Sequence, residues 1–271
     1  MAERVLAELA VLVPGGVEEE RGSTYVEYAI YGEPGEVPSL PALEAAAGEG
    51  LVEIETTEVP DDWGDRWRDF HKPVEVAGRL LVRPDWADVA AGADQDARER
   101  LEVVINPGQA FGTGSHATTR MCLELLVALA DDGGAIGSLV DLGTGSGVLG
   151  IAAAKLGWEP VEGCDHEVAA IEAARENAAA NGVRMSLRRI NLREDDPPVA
   201  ATVVANLTAG LLDRVAQRLE KRPAGVPERL ICSGLLASEL DSIADAFEAA
   251  GLGERRRLSV GEWAALLLAR E

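Results

Sequence analysis

Residues 138–149, SLVDLGTGSGVL, decide the fold. A short apolar run carries Asp141 near its end, Gly143, Gly145 and Gly147 alternate behind it, and an alanine-rich helical segment follows. A strand that turns tightly into a helix leaves unpaired N–H groups at the helix N-terminus, and glycine there lets a ligand come close to the backbone. Two cofactors suit these glycines. Gly145, Gly147 and Gly150 match the dinucleotide fingerprint G-x-G-x-x-G. That fingerprint should begin where the strand ends, however, and the first glycine there is Gly143. From Gly143 the pattern becomes D-x-G-x-G-x-G. A pyrophosphate needs bare N–H donors, whereas S-adenosylmethionine carries an ammonium that Asp141 would attract. The register favours the second cofactor; the glycines alone leave a nicotinamide dinucleotide open.

Outward from this turn, strand-like runs recur at 79–83, 101–105, 138–142, 160–164, 184–190, 201–205 and 228–233. Helical segments at 116–130, 148–156, 167–181, 208–221 and 237–250 separate most of them. Such alternation predicts a doubly wound, mostly parallel sheet. RRRLSV, Gly261 and EWAALLLA then read as two strands joined by a tight turn. An antiparallel hairpin closing a parallel sheet is not the ordinary dinucleotide-binding arrangement, so it too favours methyl transfer.

The acids and amides at the strand ends suggest a site. Asp165 closes the next strand, VEGCD, twenty-two residues after Gly143, where a carboxylate can accept both hydroxyls of a ribose or cap the following helix. Ile190, Asn191 and Leu192 end the third strand, beside which an adenine edge would lie. Asn206 ends ATVVAN, the fourth strand, at the carboxyl edge where open α/β sheets bind ligands. Its side-chain oxygen and the Leu207 carbonyl can accept two hydrogen bonds from an amine, leaving the lone pair aimed at a methyl group. The competing role for Asn206 is to cap the helix starting near Ala209. Asn181-Gly182 reads as a helix stop. INPGQAFGTGSHATT, residues 105–119, lacks the lysine of an ATP-binding loop and reads as a lid over the cofactor. His116 has no nucleophile and third partner arranged around it, so it reads as a loop hydrogen-bonder.

Composition narrows the partners. The chain has 271 residues and a formal net charge of −22, which argues against a grip on nucleic acid through phosphates. Residues 1–60 hold thirteen glutamates and no aspartate against Arg4 and Arg21, so eleven of the net negative charges lie there. That concentration fits either solubility or docking of a basic protein. No run approaches the ~18 apolar residues of a membrane span. MAERVLAELA lacks the basic start of a secretory signal, and a cytoplasmic chain is expected. Cys122, Cys164 and Cys232 are scattered singly, which predicts neither a disulfide framework nor a metal site.

The N-terminal part differs in texture. Residues 1–58 read as a small α+β unit with an early helix, a hairpin-like pair around Gly22-Ser23 and a closing strand, LVEIETTEV. Trp63, Trp67 and Phe70 share one face of a linker helix within residues 59–76. The catalytic part then runs from 77 to 271.

AFGTGSHATT, VDLGTGSGVLGIAAAKLG, GCD, VVANL and the terminal GEW together resemble the PrmA family, the bacterial methyltransferases of large-subunit ribosomal protein L-eleven. The resemblance runs from DDWGDRW to the C-terminus, and AFGTGxHxTT is its most specific part. It implies a class I, Rossmann-like domain of seven strands behind a small ferredoxin-like recognition domain. The implied reaction is S-adenosylmethionine-dependent N-methylation of protein lysines and of an N-terminal amine. Implied cofactor contacts are Phe111, Gly112, Thr119, Asp141, Gly143, Gly145, Asp165 and Asn206, with Asn206 and Leu207 at the reacting amine and no metal. A basic ribosomal protein is the implied partner, and a monomer is expected. The family's first domain opens with a strand, whereas this chain starts in its first helix, so a trimmed or rearranged recognition domain is expected. The alternative is related chemistry on a different protein lysine or small amine.

Overall fold

Most apolar runs after residue 138 form strands buried on both faces, which is why they read as continuous rather than alternating. The computed structural model describes residues 18–21, 26–29, 72–87, 100–106 and 114–270. The chain divides into two compact units, Met1–Trp63 and Gly64–Glu271. In the first, β1 (Glu18–Arg21) and β2 (Val26–Ala29) pair antiparallel, with Arg21 opposite Val26, so a pair brackets Gly22-Ser23. The other expectations for residues 1–71, and Phe111 and Gly112, lie outside the described residues.

The second unit is built on a seven-stranded sheet. Its strands are β6 (Leu139–Leu142), β7 (Val161–Asp165), β8 (Met185–Arg189), β9 (Thr202–Asn206), β10 (Arg229–Leu236), β11 (Leu252–Val260) and β12 (Trp263–Arg270). The spatial order is β11-β12-β10-β9-β6-β7-β8. Strands β10, β9, β6, β7 and β8 run parallel, and β12 inserts antiparallel between β10 and β11. The terminal hairpin foreseen from Gly261 is therefore present, and the architecture is that of a class I methyltransferase domain.

Among the described residues, five α-helices accompany the sheet: α1 (Ala117–Asp131), α2 (Val148–Leu156), α3 (Val168–Ala180), α4 (Ala209–Glu220) and α5 (Leu240–Ala249). Alternate residues of each strand face opposite layers. Val204, Ile231 and Ala265 join the core under α1 and α2, while Val203, Ala205, Leu230, Cys232 and Leu266 join the core under α4 and α5. Helix α4 shows the pattern in its own sequence: Leu212, Val215, Ala216 and Leu219 are buried at the spacing of one helical face. The chain leaves β6 in one direction for β7 and β8, and in the other for β9 and β10. The carboxyl edge between β6 and β9 is thus the switch point at which such sheets bind ligands.

Two strands lie elsewhere than expected. Residues 80–83 and 101–104 are strands, but they do not extend the wound sheet. β4 (Leu80–Arg83) pairs antiparallel with β3 (Val74–Val76) and parallel with β5 (Leu101–Val104), making a separate three-stranded sheet. Val76, Leu80, Val82 and Val103 are buried in the layer formed by α1 and α2. Their apolar residues are therefore spent covering helices. Residues 74–76, assigned to the linker from sequence, supply the third strand.

Candidate active site

The turn after β6 is held by backbone bonds. The N–H groups of Gly143 and Thr144 both donate to the Cys164 carbonyl on β7, at 2.8 and 2.9 Å. Gly143, Gly145 and Gly147 have φ of 71°, 51° and 85°, a region costly for residues with a Cβ. A Cβ on Gly143 would also collide with the Leu207 side chain. The third glycine of the accidental fingerprint serves packing instead: Gly150 on α2 and Gly163 on β7 both receive the Met185 methyl of β8.

Asp141 does not face the ligand space. It is fully buried, and its Oδ2 accepts from Thr144 Oγ1 at 2.8 Å and from the Gly150 N–H at 3.1 Å. The acid thereby braces the turn and sits at the positive N-terminal end of α2. Its Oδ1 has no hydrogen-bond partner among the described residues. Burial pushes the carboxyl up to about 7, against the hydrogen bonds from Thr144 and Gly150.

Above the turn lies a cavity of about 230 Å³ at the carboxyl edge, lined among others by Thr119, Gly143, Gly145, Asp165, Asn206 and Leu207. Asp165 Oδ2 accepts from the Gly145 N–H and Oδ1 from the Glu167 N–H, each at 3.1 Å. One carboxylate thus ties the second strand end to the first turn and starts α3, with lone pairs left for hydroxyl donors. Ile190, Asn191 and Leu192 line the same cavity. A larger cavity of about 540 Å³ lies at the amino ends of β7 and β8, around Val161, Arg175 and Met185. It contains none of the candidate residues, so size would have selected the wrong edge.

Asn206 is oriented from α1. Its Nδ2 donates to Oγ1 of the buried Thr119 at 3.2 Å, which turns the amide so that Oδ1 is the atom left to accept. Thr208, not Asn206, is the N-cap of α4, so the capping role falls away. The Leu207 N–H donates to the Ser233 carbonyl of β10 at 3.0 Å. His116 caps α1, with its Nδ1 2.7 Å from Thr118 Oγ1, and meets Trp263 edge-on with ring centroids 5.0 Å apart. The HATT and GEW motifs, 147 residues apart, therefore meet in space.

Two side chains escaped the sequence reading: that of Asn177 on α3 and that of Asn181, its C-cap, read only as a helix stop. Asn177 is buried; its Nδ2 donates to the Ser146 carbonyl at 2.8 Å and its Oδ1 accepts from the Asn106 N–H at 3.0 Å. One turn later, Asn181 Oδ1 accepts from the Val104 N–H at 2.9 Å and its Nδ2 donates to the Val104 carbonyl at 2.6 Å. The pair clasps residues 104–106 and the glycine turn to one helix face. A signal was present: Asn177 stands inside an alanine-rich helix against helix propensity, one turn before the Asn181 cap on the same face.

Among the described residues no cluster of three or more His, Cys, Asp or Glu is placed to hold a metal. No described helix is long and apolar enough to cross a membrane. The three cysteines are buried, and burial lifts the thiols of Cys164 and Cys232 to about 12, which keeps them protonated.

Comparison with known proteins agrees with this geometry. The family described as "Ribosomal protein L11 methyltransferase (PrmA)" matches residues 35–271. A protein of that name from Geobacter metallireducens is 38% identical over 214 residues, covering 78% of this chain and 67% of the relative. Another from Dictyoglomus thermophilum is 36% identical over 206 residues, covering 74% and 64%. The chain thus spans about two thirds of the length of these curated relatives. The crystal structure of a ribosomal protein L11 methylase from Lactobacillus delbrueckii subsp. bulgaricus superposes with a TM-score of 0.62 at 28% identity, covering 73% of this chain and 98% of that one. With a family match over residues 35–271 and relatives 38% and 36% identical over 78% and 74% of its length, the chain belongs to the ribosomal protein L11 methyltransferase (PrmA) family.

Proposed function

We propose that the chain is an S-adenosylmethionine-dependent N-methyltransferase acting on lysine and N-terminal amines of ribosomal protein L11. The observation that carries this is Asn206, turned by Thr119 so that its oxygen is the free acceptor in a cavity floored by Gly143 and Gly145 and flanked by Asp165. The residues present suit a cofactor of this class: Gly143 and Gly145 line the cavity with bare backbone, and Asp165 offers a carboxylate to ribose hydroxyls. When bound, it supplies an electrophilic methyl group on a sulfonium.

Asp165 anchors the sugar, Gly143 and Gly145 admit the amino-acid end, and Thr119 lines the same cavity; Phe111 and Gly112 are further contacts only as the family resemblance implies them. Asp141 acts beneath them by holding the turn. Asn206 Oδ1 and the Leu207 carbonyl accept the two N–H bonds of a neutral amine and direct its lone pair at the methyl carbon. With the cofactor held there, an amine so aligned would take its methyl group as the C–S bond breaks, and the product ammonium would release its extra proton to solvent. A free lysine is ~0.04% neutral at pH 7, a cost of roughly 4.6 kcal/mol. Fixed approach contributes roughly 7–11 kcal/mol, so positioning exceeds the protonation cost without a dedicated base. The acidic residues 1–60 supply long-range attraction for a basic substrate.

The test is incubation of the enzyme with isotopically labelled S-adenosylmethionine and purified ribosomal protein L11, followed by peptide mass spectrometry. Label on lysine or N-terminal amines is expected; an unlabelled substrate in the presence of bound cofactor would overturn the assignment.

A further inference from the structure

Resting on that reading, we propose that Gly234 is a positioning residue for methyl transfer: by carrying no side chain at a bulge in β10, it sets the Leu207 carbonyl beside Asn206. The parallel pairing of β9 and β10 runs without interruption to Asn206 opposite Ser233. There the pairing of β10 with β12 shifts register between Ser233 and Leu235, leaving Gly234 as the extra residue, with φ of 84°. Bulges of this kind bend a strand and re-aim what lies against it. What lies against this one is the backbone leaving β9. The Leu207 N–H donates to the Ser233 carbonyl at 3.0 Å, and Ser233 Oγ donates to the Ala264 carbonyl of β12 at 2.8 Å.

Gly234 then decides how close the two backbones come. A Cβ there would run into the Leu207 carbonyl oxygen and lie 2.8 Å from its carbon and 3.0 Å from its nitrogen. These neighbours are backbone atoms, which cannot swing aside as a side-chain end does. Restoring ordinary contact moves the Asn206–Leu207 turn by something on the order of 1 Å, enough to cost about 100-fold in a reaction that depends on a near-attack geometry. The cofactor contacts at Gly143 and Gly145 follow β6 and Asp165 ends β7, so the displacement falls on Asn206 and Leu207 first. Gly234 thus acts on the amine through Leu207 and touches neither substrate nor cofactor.

The experiment uses the full chain with S-adenosylmethionine and the amine substrate that the wild type methylates. Gly234→Ala is expected to lower kcat about 100-fold, with the calorimetric Kd for S-adenosylmethionine within about threefold, less than half the free energy of a tenfold change. Gly234→Asn separates fit from backbone strain, because asparagine tolerates positive φ yet carries the same Cβ. Equal loss of kcat in both variants, with Asn the more stable, supports the proposal; recovery of kcat in Gly234→Asn, or wild-type kcat in either, overturns it. If neither variant folds, Ser233→Ala, which cuts the Oγ tie of the bulge to β12 and the contact of that hydroxyl with the Cys122 thiol, is expected to lower kcat about fivefold at unchanged cofactor affinity, the scale of one hydrogen bond, and an unchanged kcat overturns the proposal. A wild type that binds cofactor but methylates no amine refutes the functional reading instead, which keeps the two failures apart.

Discussion

Asp141 makes the fold pH-dependent in a direction opposite to that of most carboxylates. Its carboxyl is fully buried, and burial moves it from an ordinary value of 3.8 to about 7. Between those values the folded chain keeps a proton that the unfolded chain has released, so stability falls as the pH rises. The contribution is complete below 3.8 and is lost as the pH passes 7. Integrated from pH 5 to pH 8, a carboxyl with these two values changes the unfolding free energy by about 2.5 kcal/mol. Asp141→Asn keeps an oxygen to accept from Thr144 and Gly150 but removes the titration. Other carboxylates titrate alike in both proteins and cancel in the difference. Urea unfolding of wild type and variant at pH 5, 6, 7 and 8 therefore measures Asp141 alone. The variant should gain on the wild type by about 2.5 kcal/mol across the series. A difference that stays constant to about 0.5 kcal/mol would show that Asp141 ionises as an exposed acid does, refuting its place beneath the turn.

Three further outcomes follow from named contacts. Asn177→Ala removes its two bonds, to the Ser146 carbonyl and from the Asn106 N–H; chemical denaturation should show a loss of about 3 kcal/mol, and a loss under about 0.5 kcal/mol would refute the clasp. Asp165→Ala removes the carboxylate assigned to the ribose and should weaken S-adenosylmethionine binding about 100-fold by calorimetry, the scale of two charge-assisted hydrogen bonds. If the thirteen glutamates of residues 1–60 attract a basic substrate, its KM should rise several-fold between about 0.01 and 0.3 M salt, as the Debye length shrinks from ~30 Å toward a few ångströms; a flat response would mean that the charge serves solubility.

What could be read from the residues was whatever depends on local pattern. The D-x-G-x-G-x-G turn, the strand–helix alternation from 138 onward and the terminal hairpin around Gly261 all rest on short-range periodicity and turn chemistry, and each is present. Asn206, Asp165, Gly143 and Gly145 come together because strand-end position sends residues to the carboxyl edge, whereas Thr119, on α1, was named only by the family resemblance. Partnership was not legible. Val82 and Val103 repeat as strand residues do, but periodicity does not say whether a strand joins a sheet edge or covers a helix layer. The orientation of Asp141 was missed for a related reason: on a strand buried on both faces, residue type does not reveal that the side chain turns under Thr144 rather than toward the ligand. Asn181 was read as a helix stop, which it is, but its side chain does its work on β5, seventy-seven residues away. Gly234 sits in an otherwise regular apolar run, and only the pairing of three strands reveals the bulge.

The proposed activity depends on Asn206 aiming an amine at a methyl group held over the Gly143–Gly145 turn. Its most direct test is single-turnover transfer from labelled S-adenosylmethionine, at saturating cofactor, by wild type and Asn206→Ala. Loss of one preorganised polar contact should slow transfer about 100-fold or more, while cofactor affinity changes by about threefold at most, well under one tenfold step. Equal transfer rates in the two proteins would contradict the account.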